Sequence, residues 1–100
     1  MGKPAVAIVG PGAVGQAVGR LLVRQGYPVA VAGRTPTSAR RAVRFIGGRA
    51  RAAVRPDTAA TGAQVVFITT PDTAIASVCD DLVARGAIGP GMTVFHCCGA

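Results

Sequence analysis

One hundred residues make at most one domain with a modest core, and with 50% hydrophobic and only 15% charged residues the chain reads as globular rather than disordered. No segment is apolar for long enough to span a bilayer, and the apolar stretch after Lys3 is broken at Gly10, Pro11 and Gly12, which argues against a secretory leader. The net charge of +7 is nearly all arginine, with Lys3 the single lysine; a compositional bias toward Ala, Gly, Arg and Val accounts for most of it, leaving one or two arginines for phosphate recognition.

Ala5 to Val9 is a short apolar run with β-branched residues, fit for a strand buried on both faces. Gly10-Pro11-Gly12-Ala13-Val14-Gly15 follows, a G-x-G-x-x-G turn. Val14, Ala17, Val18, Leu21 and Leu22 then recur at helical spacing, which predicts a helix over Ala13 to Arg24 with that face inward and Gly26 as its stop. Val29 to Ala32 is a second buried strand, ending at Gly33-Arg34-Thr35. Thr35 reads as an N-cap with Pro36 at the first helical position, and the second helix carries Ala39, Val43 and Ile46 inward up to Gly47-Gly48. Arg49 to Arg55 alternates small apolar residues with arginine, as a short strand near an edge does. Pro56 to Gly62 is a loop or a single helical turn, and Gln64 to Thr69 is another buried strand.

Thr70-Pro71-Asp72 repeats the Thr-Pro cap pattern and opens a third long helix. Ile75, Val78, Cys79, Leu82 and Val83 form its inner face, and Gly86 ends it. Met92 to Cys97 is the last strand. The order β-α-β-α-β-(α)-β-α-β implies an α/β fold: a doubly wound parallel sheet with right-handed crossovers, incomplete after its fifth strand. Three cysteines, two of them adjacent, are no disulfide framework and fit a reducing cytoplasm.

Strand, glycine turn and helix N-terminus stand in the order of a dinucleotide site. Gly10 permits the tight turn, Gly12 lets a pyrophosphate approach the main chain, and Gly15 allows close packing of helix on strand. Free N–H groups and the positive end of the helix dipole then meet the phosphates. The competing reading is a βα turn that binds nothing.

The end of the second strand discriminates between cofactors. NAD sites place an acid there to hold the ribose hydroxyls; this chain has Gly33, Arg34 and Thr35. The expectation is NADP(H), with Arg34 on the 2′-phosphate and Thr35 or Ser38 donating hydrogen bonds, against a solvated loop arginine. Thr69-Thr70-Pro71-Asp72, at the end of the fourth strand, should border the ribose and nicotinamide, and Asp72 reads as a dipole partner before it reads as a base. Neighbouring side chains on a strand point to opposite faces, so His96-Cys97-Cys98 does not converge on a metal; a part for His96 or Cys98 in the nicotinamide pocket fits better. Arg40, Arg41 and Arg44 form a solvated helix face, and without interleaved aromatics or a DNA-reading motif no nucleic-acid partner is expected.

Ala-Ile-Val-Gly-Pro-Gly-Ala-Val-Gly, Val-Ala-Gly-Arg-Thr, Thr-Pro-Asp-Thr-Ala-Ile and His-Cys-Cys-Gly-Ala together resemble a group of predicted oxidoreductases with a Rossmann-like N-terminal domain and a helical C-terminal domain of unknown function. The group is similar to pyrroline-carboxylate reductase, ketopantoate reductase and phosphogluconate-type dehydrogenases. The resemblance covers essentially the whole chain. It implies that Gly10, Pro11, Gly12, Ala13 and Val14 hold the pyrophosphate, that Gly33, Arg34 and Thr35 hold the adenosine phosphate, and that Thr70 and Pro71 line the nicotinamide ribose. The group commonly has Ser where this chain has Cys98. Residues 1–100 then read as the NADP-binding half of an oxidoreductase that transfers hydride to or from a small-molecule substrate. The helical domain that shapes the substrate pocket and the dimer interface is missing, so a homo-oligomer or that domain is the expected partner. A non-catalytic NADP-sensing or regulatory module and a basic interaction domain are the alternatives.

Overall fold

Four consecutive buried residues, Val6, Ala7, Ile8 and Val9, demand cover on both faces of a strand, and the fold supplies it. The computed structural model describes residues 3–10 and 12–96. Its elements are β1 (Val6–Val9), α1 (Ala13–Arg24), β2 (Val29–Ala32), α2 (Pro36–Ile46), β3 (Arg51–Ala52), α3 (Pro56–Ala60), β4 (Val65–Ile68), α4 (Asp72–Ala84) and β5 (Thr93–His96). The strands form one parallel sheet in the order β3-β2-β1-β4-β5. This is the α/β Rossmann-like architecture that the alternation predicts. Among the described residues no helix is long and apolar enough to cross a membrane.

The pleat divides the core in two. Val6, Ile8, Val29 and Val31 face α1 and α2 and meet Ala42, Ile46 and Leu22. Ala7, Val9, Ala32, Val66 and Ile68 face the other way and meet Ala59, Ala60 and Leu82 of α3 and α4. Both sides of β1 and β2 are therefore dry, which is why these strands read as unbroken apolar runs rather than alternating ones.

Three expectations about the helices change. In α1 the buried residues are Gly15 and Gly19, whereas Val14 is 51% and Leu21 63% exposed, and Ala17 is exposed too. A β-carbon on Gly19 would stand 2.8 Å from Ile46 Cδ1 and 3.0 Å from Ile8 Cδ1. The bare backbone is what lets α1 lie this close to β1 and α2, so the glycine stripe sets the inner face and rotates Val14 and Leu21 outward. In α4, Ile75, Val78, Cys79 and Leu82 face the core as expected, but Val83 is 60% exposed.

The Thr-Pro cap occurs once. Thr35 caps α2 in a capping box: the Ser38 N–H donates to Thr35 Oγ1 at 3.1 Å, and the Thr35 N–H donates to Ser38 Oγ at 3.3 Å. At α4 the cap position is Pro71 itself, and no side chain caps that end. Thr70 thus stands one residue too early to reach the amides of the first turn, and its buried hydroxyl has no partner among the described residues. The segment from Pro56 is the five-residue helix α3, with Pro56 in its first turn and the Arg55–Asp57 ion pair at 3.2 Å beside it. The expected edge strand shrinks to Arg51–Ala52.

Candidate functional site

β1, β2 and β4 end level with one another: Val9 pairs with Ala32 on one side and Ile68 on the other. The Gly10 N–H donates to the Ala32 carbonyl and the Thr69 N–H to the Val9 carbonyl, each at 2.8 Å. Three chain exits are thereby stitched into one rim, and the residues singled out in the sequence lie on it. Gly10, Gly12, Ala13 and Val14 follow β1; Gly33, Arg34 and Thr35 follow β2; Thr70 and Pro71 follow β4. Pro11, Cys97 and Cys98 lie outside the described residues, and the side chain of Asp72 is not among those described.

Gly10 turns the chain with φ +82, a conformation that side chains rarely adopt, and a β-carbon there would run into Thr70. Gly12 is the cap residue of α1, with extended backbone (φ −75, ψ −165) and no side-chain cap. A β-carbon on Gly12 would meet nothing within 4 Å, so the space before the helix is open. No acid stands in the first turn of α1. The Gly12 N–H is already bonded to the Gly10 carbonyl at 2.8 Å. The amides of Ala13, Val14 and Gly15 open the helix without an intrahelical acceptor and carry the positive end of its dipole.

At the end of β2, Arg34 and Thr35 are exposed, and among the described residues none pairs with the Arg34 guanidinium. Asp57 is engaged with Arg55 and Asp81 with Arg85, so neither acid opposes a negative ligand here. The Asp81 hydrogen bond and charge raise the Arg85 pKa above its ordinary value, at the far end of α4. The cap uses up one expected donor. The Ser38 hydroxyl gives its proton to the Thr35 carbonyl at 2.9 Å, whereas the Thr35 hydroxyl only accepts in the cap and keeps its proton to donate.

The sequence places Thr69 in the turn after β4 but does not disclose what its hydroxyl holds. Its hydroxyl donates to the Gly10 carbonyl and, at 3.3 Å, to the Val9 carbonyl. A β-carbon on Gly15 would come within 2.5 Å of the same oxygen. The available signal was a hydroxyl residue at the end of an apolar strand, opposite a glycine turn.

Two cavities lie elsewhere. One of about 400 Å³ lies between Lys3, Tyr27, Pro28 and Arg49, and one of about 250 Å³ adjoins it near Arg51 and Thr61. Both sit at the amino ends of the strands, away from the rim. The rim is an open ledge, the form that suits an extended ligand lying across strand ends.

Several solved structures that share this fold are described as dehydrogenases or reductases. Arogenate dehydrogenase of Synechocystis superposes with a TM-score of 0.79 at 22% identity, over 92% of this chain and 32% of that one. An imine reductase of a Pseudomonas species gives 0.71 at 27% identity, over 96% of this chain and 32% of its own. The imine reductase of Myxococcus stipitatus, in complex with NADP+, gives 0.74 at 17% identity, over 97% and 32%; a variant of it holds NAD+. The chain spans about a third of the length of these proteins. No curated protein matches it. Residues 5–89 match the family described as NADP oxidoreductase, coenzyme F420-dependent, and the chain belongs to that family.

Proposed function

We propose that the rim binds NADP(H), as the cofactor half of an enzyme that transfers hydride to or from a small molecule. The observation that carries the reading is the exit of β2: an exposed, unpaired Arg34 and a donor-ready Thr35 beside an uncapped helix N-terminus, with no acid on the ledge between them. In this reading the adenosine 2′-phosphate lies against Arg34 and Thr35, with Gly33 letting it approach the backbone. The pyrophosphate crosses the open face of Gly12 onto the amides of Ala13 and Val14, with Gly10 and Pro11 shaping the turn beneath it. The nicotinamide ribose borders Thr70 and Pro71. A buried hydroxyl without a partner costs about 1–3 kcal/mol, and a ribose oxygen at Thr70 would relieve it.

The bound nicotinamide supplies or accepts the hydride; the residues of this chain bind it, orient it and shield one side of it. The substrate, and the wall that holds it, belong to the part of such enzymes that this chain does not span. A domain that senses NADP(H) without turnover would use the same ledge. Titration of the protein with NADPH and NADH tests the reading: saturable binding with NADPH the tighter ligand is expected, and equal affinities would overturn the cofactor assignment. Joining the domain to the catalytic portion of a relative and assaying NADPH oxidation separates enzyme from sensor.

A further inference from the structure

We propose that Thr69 is a positioning residue for the pyrophosphate: its hydroxyl holds the Gly10 carbonyl turned away from the ligand and so leaves the amides of Ala13 and Val14, at the start of α1, as the groups that the ligand meets. The inference rests on the reading of the ledge as an NADP(H) site.

The Gly10 carbonyl oxygen is the atom of this turn that would repel an anion. Aimed outward, its partial negative charge would face the phosphates and oppose them. It is held inward by two donors, the Gly12 N–H at 2.8 Å and the Thr69 hydroxyl. The first donor belongs to the turn and moves with it. The second is anchored in the sheet, because Thr69 continues β4 and its own N–H is bonded to the Val9 carbonyl. The Gly10 N–H is tied to the sheet as well, through the Ala32 carbonyl, but among the described residues only the Thr69 hydroxyl holds the Gly10 carbonyl from outside the turn.

The same oxygen also abuts Gly15. The gap between the Thr69 hydroxyl and the backbone of Gly15 is too small for a methyl group. One side chain thus touches the first residue of the turn and the first turn of α1. It sets how far the helix N-terminus advances toward the ledge. Gly12 is left free of neighbours on the opposite side, where the ligand would lie.

The experiment compares Thr69→Val, which keeps the shape and removes the donor, with Thr69→Ser, which keeps the donor. Binding is read with NADPH, with NADH and with adenosine 2′-monophosphate, which reaches Arg34 but has no pyrophosphate. Loss of one such hydrogen bond predicts roughly five- to tenfold weaker NADPH binding by Thr69→Val. NADH should weaken by the same factor, leaving the NADPH-to-NADH ratio unchanged. Adenosine 2′-monophosphate should bind as it does to the parent, and Thr69→Ser should restore the dinucleotides. NADPH binding by Thr69→Val equal to the parent's, a Thr69→Ser as weak as Thr69→Val, or an equal loss for all three ligands would each overturn the assignment. If Thr69→Val does not fold, Thr69→Ala against Thr69→Ser isolates the hydroxyl in the same way. A parent protein that binds neither dinucleotide overturns the NADP(H) reading and this inference together, whereas a parent that binds and a Thr69→Val that binds equally well overturns this inference alone.

Discussion

Arg34 follows the buried end of β2 by two residues and is exposed, and among the described residues no acid pairs with it. Replacing it with alanine should cost NADPH about 1.5–3 kcal/mol, roughly ten- to hundredfold in affinity, and leave NADH nearly unchanged. Because the site is open, added salt should narrow the preference of the parent and not that of Arg34→Ala. Calorimetric titration at two ionic strengths reads both effects; an Arg34→Ala protein that still prefers NADPH would place the discrimination elsewhere. Gly12→Val makes the complementary test. The Gly12 backbone is one that valine adopts, and nothing lies within 4 Å of the added carbon, so the protein should fold. The branched side chain then occupies the ledge itself, and NADPH binding should vanish while the circular dichroism spectrum is kept. Gly10, Gly12 and Arg34 were legible in the sequence because their chemistry is local: a turn, an open approach, a charge after a strand. Thr69 was legible as part of the turn at the strand end but not as the donor to Gly10, because that contact is with a carbonyl 59 residues away. Ser38 was half legible: the sequence displays its hydroxyl as a donor but does not reveal that the Thr35 carbonyl has already taken the proton.

At the scale of elements, α1 shows how close approach overrides hydropathy. Apolar periodicity selects Val14, Ala17 and Leu21 as its inner face, yet the two glycines at one-turn spacing are what let the helix sit down on β1 and α2. Gly19→Leu should gain about 1 kcal/mol in helix propensity. It should lose about 1–3 kcal/mol or more by overpacking against Ile46 and Ile8, lowering the denaturation midpoint. An unchanged or raised midpoint in urea would show that α1 can retreat without loss. β1 and β2 were legible almost to the residue, because they are dry on both faces and no turn residue interrupts them, whereas the exposed β3 kept only two residues of its expected run. The second Thr-Pro pair was misread because the same dipeptide stands one position earlier relative to its helix. Pro36 is inside α2, whereas Pro71 is the cap of α4. That single-residue shift converts a capping hydroxyl at Thr35 into a buried, unpartnered one at Thr70.

For the molecule as a whole, the two sheet edges differ. β3 is two residues long and flanked by arginine side chains, which blunts it against pairing. β5 is four residues long and without a formal charge from Thr93 to Phe95; Val94 is 36% and Phe95 48% exposed, the latter stacked on Phe67 at 5.2 Å. Free carbonyls and amides on that edge beside half-open apolar rings predict association that grows with protein concentration, suppressed by Val94→Lys. Sedimentation velocity over a hundredfold dilution reads it, and a monomer at every concentration would contradict it. The same chain, assayed alone, should bind NADPH and oxidise none of it with imines, keto acids or aldehydes, since positioning of substrate supplies about 7–11 kcal/mol of barrier lowering in an intact site. Turnover that scales with protein and disappears in Gly12→Val would locate the substrate within these hundred residues. The place of β1 in the sheet has a further consequence, for the order in which the protein can form. Among the described strands the innermost, β1, is made before the others, and while β2 becomes available to one of its sides early, its other side waits for β4, some 60 residues later. Until then the nascent chain holds an apolar strand half-paired, with the carbonyls of Ala7 and Val9 still open to any extended segment nearby, and the closing of β4 onto it joins the three chain exits of the rim and leaves β5 to add at the edge.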